Sequence, residues 1–195
     1  MSPEPGRRLT RLNERVLELD DDGELVGARI ADERHAGESF AKARLVDVEL
    51  TRCDLSGCDF SESNWQRVTL IDCRCSGVEL SQSRLTHVTF RDCKLDDANF
   101  RLSKLHDVTF DGSVLVAGQF QATQLETVTY AGSDLRGADF SNARCAQVDF
   151  RGAQLDGLLG VASLKGATIG VDQLFGFAPA LAAALGITVR GDESE

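Results

Sequence analysis

An apolar residue at every fifth position, held without a slip from Phe40 to Leu155, constrains this chain more than any other feature. The series begins Phe40, Leu45, Leu50, Leu55, Phe60, Trp65 and ends Phe140, Cys145, Phe150, Leu155, giving 24 apolar residues in 24 positions. Hydrophobic residues make up only 42% of the chain, so chance does not produce such a run. A period of five fits neither the 3.6-residue repeat of a helix nor the two-residue repeat of a plain strand. A repeat architecture is required.

The residue two before each large one is usually small: Ala43, Val48, Cys53, Cys58, Ser63, Val68. Residues two apart on extended chain point the same way. Each pentapeptide therefore reads in, out, in, out, out: a short strand, then two outward residues that make a corner. Val48, Val68, Val88, Val108, Val128 and Val148 recur every twenty residues, so four pentapeptides make one coil. Thr69, Thr89, Thr109 and Thr129 form one stacked column, and Cys53, Cys73 and Cys93 another. Six coils over residues 36 to 155, spaced by the ~4.8 Å of a hydrogen-bonded sheet, predict a rod roughly 29 Å long.

The ends leave the pattern, as solenoid ends must to cover apolar side chains and unpaired ladder groups. Leu25 and Ile30 keep register, but Glu33, His35 and Glu38 suit inward positions poorly, which predicts an irregular first coil. Leu9, Leu12, Val16 and Leu19 suit one helical face, and Val16 to Leu19 equally suits a strand. Downstream, Asp172 stands as an N-cap before a helix. Pro179 interrupts that helix or opens a second one, and Gly186 provides the stop. The expected organisation is an N-terminal extension over 1–22, partly disordered, a repeat region over 23–170, and a helical cap with a frayed polar tail over 171–195.

The chain resembles the pentapeptide-repeat family, whose motif is a small residue, a polar residue, Leu or Phe, then two variable residues. Segments CDLSGCDFSES (Cys53 to Ser63) and SDLRGADFSNA (Ser133 to Ala143) match it closely. The resemblance implies an all-β fold, a right-handed quadrilateral parallel β-helix, here closed by a short C-terminal α-helical cap.

Little in the sequence points to catalysis. All six cysteines fall on inward positions; Cys73 and Cys75 form C-x-C rather than C-x-x-C, and no His joins them in register, so neither a metal nor a cofactor is expected. His87 and His106 lie outward with no nucleophile suggested beside them. A filled lumen leaves no pocket, and no phosphate loop or dinucleotide fingerprint is present. No apolar run is long enough to span a membrane, and Arg7, Arg8, Arg11 and Arg15 precede no secretory h-region, which predicts a cytoplasmic protein.

With 31 acidic against 21 basic residues and a net charge of −10, direct binding to nucleic acid is disfavoured. Residues 36 to 155 carry 17 acidic and 13 basic residues. The side bearing Phe40, Phe60 and Phe140 is the most acidic, with Asp59, Glu62, Glu79 and Asp139 as candidate partner-binding residues. The next side, with Arg44, Arg67, Arg84, Lys104 and Arg144, is mildly basic. The passage ASLKGATIGVDQ (Ala162 to Gln173) further resembles the Qnr/MfpA group, whose acidic rods imitate DNA towards DNA gyrase and protect it from fluoroquinolones.

Two functions stay open: a non-enzymatic interaction protein that binds gyrase or another DNA-binding protein by mimicry, or a scaffold rod without mimicry. Leu174, Phe175, Phe177, Leu181, Leu185 and Ile187 are the candidate interface of a homodimer, with a monomeric cap as the alternative.

Overall fold

The computed structural model describes residues 13–14 and 16–190. The expectations for Leu9 and Leu12, and for the tail over 191–195, lie outside the described residues. Eight parallel strands form one sheet in chain order: β1 Asn13–Glu14, β2 Glu24–Ala31, β3 Arg44–Thr51, β4 Asn64–Ile71, β5 Arg84–Arg91, β6 Lys104–Asp111, β7 Gln124–Thr129 and β8 Arg144–Asp149. From β2 onward each strand pairs twenty residues ahead, as in Leu45↔Trp65 and Val48↔Val68. Two further columns of parallel bridges, Arg34↔Asp54↔Arg74 and Ser39↔Asp59↔Glu79, complete the coil. β3 to β6 each bend midway and contribute two sides, so the predicted four-sided coil of twenty residues is what the chain builds.

The corners show why five is the period. Positions 42, 47, 52, 57 and 62, and their equivalents along the rod, have φ between 53° and 77°. One left-handed residue per pentapeptide turns the chain through each corner. Eighteen of these residues are not glycine, and Thr127 is β-branched. Left-handed backbone costs a non-glycine residue ~1–2 kcal/mol, so the ladder and the core must offset a repeated local penalty.

The core supplies that offset through side chains stacked on their own equivalents. Phe90, Phe110, Tyr130 and Phe150 lie face to face at 4.9–5.0 Å on one side of the lumen. Phe100, Phe120 and Phe140 do so on the opposite side at 4.7–4.9 Å. The two ladders meet edge to face at 5.5–6.4 Å across the middle, an arrangement that aromatic quadrupoles favour. The small inward residues have a second task, because their hydroxyls and thiols donate to corner carbonyls. Ser83 Oγ bonds Phe60 O at 2.8 Å, Thr123 Oγ1 bonds Phe100 O at 2.8 Å, and Cys58 Sγ bonds His35 O at 2.9 Å.

The ends correct several expectations. The first coil is regular along β2, whose Leu25 and Ile30 are buried in register with Leu45 and Leu50. Val16 to Leu19 form neither helix nor strand; the chain pairs earlier, Asn13↔Ala28, and then tucks Leu17 into the core. His35 keeps an inward position by bonding Glu33 through Nε2 at 2.8 Å and Glu38 through Nδ1 at 3.0 Å. Glu33 also accepts the Leu17 N–H at 3.0 Å, which ties the incoming chain across the coil end.

At the other end a 3-10 turn, Val161–Ser163, precedes helix α1, Val171–Ala184. Asp172 is not the N-cap: Gly170 is, and Gln173 reaches back to accept its N–H at 2.5 Å. Gln173 Nε2 also donates to Phe150 O and Ala153 O at 2.7 Å, which fixes the helix start against the last coil. Pro179 lies inside a helix that continues through it, and Gly186, at φ 72°, follows the helix end as expected.

Candidate functional site

With the interior filled, chemistry is confined to the outer sides and the C-terminal end. Leu45, Leu50, Phe60, Phe100 and Leu135 are all 0% exposed. Cys145, expected inward, is the half-exposed exception among the large inward positions between Phe40 and Leu155. Burial pushes the Cys58 and Cys145 thiols up to about 11, away from nucleophilic reactivity. All six cysteines are free, and among the described residues no cluster of three or more His, Cys, Asp or Glu is arranged to hold a metal.

The four acidic candidates share one side but differ in environment. Asp59, Glu79 and Asp139 occupy one column and are half-buried; each carboxylate accepts the backbone N–H two residues on, at 2.9, 2.9 and 2.8 Å. They close their corner turns, as Asn99 does for Arg101 at 3.0 Å. Hydrogen bonds from Ser61 hold the Asp59 carboxyl below its usual range. Asp139 is also lowered, because bonds from Ser141 and Gln121 outweigh the burial that raises it. Glu62 is exposed and lies 4.0 Å from Lys42. Position in the repeat identifies this side as acidic, but the turn-closing role depends on corner geometry that charge counting does not contain.

The neighbouring side bears the opposite sign. Its carboxylates are engaged by basic side chains one coil away: Asp47 by Arg67 at 2.5 and 2.8 Å, Asp107 by the His87 ring at 2.8 Å, Glu126 by the His106 ring at 3.3 Å. Arg44 bonds Glu24 at 2.9 Å. Arg84, Lys104 and Arg144 have no ion-pair partner among the described residues. His87 and His106, read from sequence as unpromising for catalysis, each face a carboxylate one coil away in these columns.

The C-terminal candidates divide as well. Phe177 is 5% exposed and packs under the helix, so it belongs to the cap rather than to a free face, and Leu181 is partly buried beside it. Phe175 is 82% exposed and Leu185 76%, with Leu174 half-exposed and Ile187 open. Between the helix and the 3-10 turn lies an apolar groove of about 320 Å³, lined by Val161, Ala167, Ile169, Phe177, Leu181 and Leu185.

A family model described as pentapeptide repeat region matches residues 43–115 and 84–159. Among solved structures, a trypsin-treated variant of QnrB1, described as a plasmid-mediated fluoroquinolone resistance protein, is 20% identical, with 86% of this chain and 91% of that chain covered and a TM-score of 0.42. HetL of the cyanobacterium Nostoc, involved in heterocyst differentiation regulation, is 17% identical over 74% and 86% of the two chains, with a TM-score of 0.32. A thylakoid-lumen pentapeptide repeat protein of Arabidopsis thaliana is 19% identical over 58% and 68%, with a TM-score of 0.27. A search of curated protein sequences finds no match.

Proposed function

Since the chain belongs to the pentapeptide-repeat family, we propose that it is a non-catalytic interaction protein that binds a protein partner through its outer sides. The filled lumen carries this reading: buried side chains occupy the rod interior where a small substrate would have to enter. Its most specific form is a DNA mimic directed at DNA gyrase or another DNA-binding protein, with Asp59, Glu62, Glu79 and Asp139 as the contact residues. A scaffold rod without mimicry is the second reading, favoured by the change of sign between neighbouring sides and by the turn-closing role of three of these four acids.

A gyrase supercoiling assay separates the two. The mimic inhibits supercoiling, or protects it from a fluoroquinolone, at micromolar protein; no effect removes the gyrase form and leaves the scaffold. The variant for this assay is Asp59→Asn, Glu62→Gln, Glu79→Gln, Asp139→Asn. Asn and Gln keep the acceptor that closes the turn while removing the charge, so lost binding is not confused with lost folding.

The exposed Leu174, Phe175 and Leu185 support a homodimer paired through the C-terminal segment, with the apolar groove beside Phe177 and Leu181 as the receiving surface. The free thiols support a reducing, cytoplasmic setting. Among the described residues no helix is long and apolar enough to cross a membrane. The organisation that fits these roles is an extension over 1–22, the rod over 23–170 and a cap over 171–195.

A further inference from the structure

The first residues of β3 to β8 are Arg44, Asn64, Arg84, Lys104, Gln124 and Arg144. Each is paired in register with the next and each is exposed. Every member carries a side-chain N–H donor, and the column covers five ladder steps, ~24 Å at sheet spacing. Arg84 and Lys104 are adjacent cations, which repel in a ladder unless an outside anion lies between them. Elsewhere on this side Asp47 and Arg67, one coil apart, are of opposite sign and bond each other, and Asp107 faces the His87 ring. A shallow groove of about 300 Å³ runs beside the two cations, lined by Thr86, His106, Gln124 and Glu126.

We propose that this column is a docking strip for an extended, carboxylate-rich polypeptide segment of a partner protein, lying along the rod axis. Width argues for a single chain. The strip is one residue across, bounded on one edge by the corner column that holds Glu62 and on the other by Asp47, Asp107 and Glu126. A nucleic acid duplex would press its phosphates onto those carboxylates and onto a chain of net charge −10. A strand of about seven residues, rising ~3.4 Å each, matches the strip's length. Its carboxylates would meet the guanidinium and ammonium groups of Arg84, Lys104 and Arg144 through charge-assisted hydrogen bonds. The strip lies on the side next to the acidic one and does not depend on the mimicry reading.

The test uses the full chain and a fluorescein-labelled octaglutamate peptide, read by anisotropy at low and moderate salt. The unaltered protein is expected to bind at low salt and weaken as salt rises. Arg84→Gln with Lys104→Gln and Arg144→Gln is expected to lose about tenfold or more in affinity. As a control, Arg74→Gln with Lys94→Gln removes in-register cations from another side and is expected to change affinity less than about twofold. Lys104→Glu alone, at one exposed position, is expected to lose about tenfold and decides the matter should the triple variant be misfolded. The proposal is overturned by absence of binding at low salt, by equal loss in the control variant, or by a single-stranded oligonucleotide that binds more tightly and is released by the same substitutions.

Discussion

Removing one oxygen atom, by Tyr130→Phe, should stabilise this protein. Tyr130 is 0% exposed and stacked between Phe110 and Phe150, each 5.0 Å away and within 3° of parallel. Its hydroxyl has no hydrogen-bond partner among the described residues, and burial pushes its ionisation far above the ordinary phenol range. An unsatisfied buried hydroxyl costs ~1–3 kcal/mol. Phe keeps the ring, both stacks and the edge contacts to Phe120 and Phe140. The vacated volume of roughly 12 Å³ costs about 0.3 kcal/mol at ~24 cal/mol per Å³. The net gain is ~1–2 kcal/mol, or a rise in Tm of about 3–6 °C for a chain of this size. Urea and thermal unfolding of the two proteins side by side measure it, with an unchanged m-value confirming that the same surface unfolds. A midpoint that stays put or falls would refute the reasoning, since it would mean that the hydroxyl is satisfied in solution.

Three further outcomes are expected. Desolvation lowers the His35 pKa, but hydrogen bonds to Glu33 and Glu38 outweigh it and the group is raised. Its stabilising contribution over His35→Gln should therefore be complete below the unfolded value of ~6.5 and disappear as pH rises through the folded value; an advantage that grows with pH in urea titrations would contradict this. In Gly160→Ala the new Cβ would lie 2.2 Å from Ser141 N and 2.5 Å from Phe140 C, with φ at 75°. A loss of ~3 kcal/mol and faster amide exchange over 161–184 should follow, and unchanged exchange would show that the cap does not rest on that contact. Sedimentation of Leu174→Ser with Phe175→Ser should show a monomer where the unaltered chain is a dimer; a monomer mass for both rules out pairing through α1.

Much of the rod is written in the chain itself. In a solenoid each coil touches only its neighbours, so a side chain's partner is the residue twenty places on, and the columns of Val48 to Val148, Thr69 to Thr129 and Cys53 to Cys93 can be laid out without coordinates. Sidedness of charge followed from the same count, which placed Asp59, Glu79 and Asp139 on one side and Arg84, Lys104 and Arg144 on the next. What periodicity could not supply was the local backbone. The left-handed corners bring a carboxylate onto the N–H two residues ahead, and this turns an apparent row of free charges into turn closures. Nor could it place the ends, where the repeat stops and contacts cease to be periodic. The Glu33–His35–Glu38 cluster, the anchoring of Gln173 on Phe150 and Ala153, and the burial of Phe177 beside an exposed Phe175 each depend on how an irregular segment docks on a coil end. Sequence decides contacts that repeat at a fixed separation. Contacts made once, between segments with no common register, are decided only by the shape of the folded surface they meet.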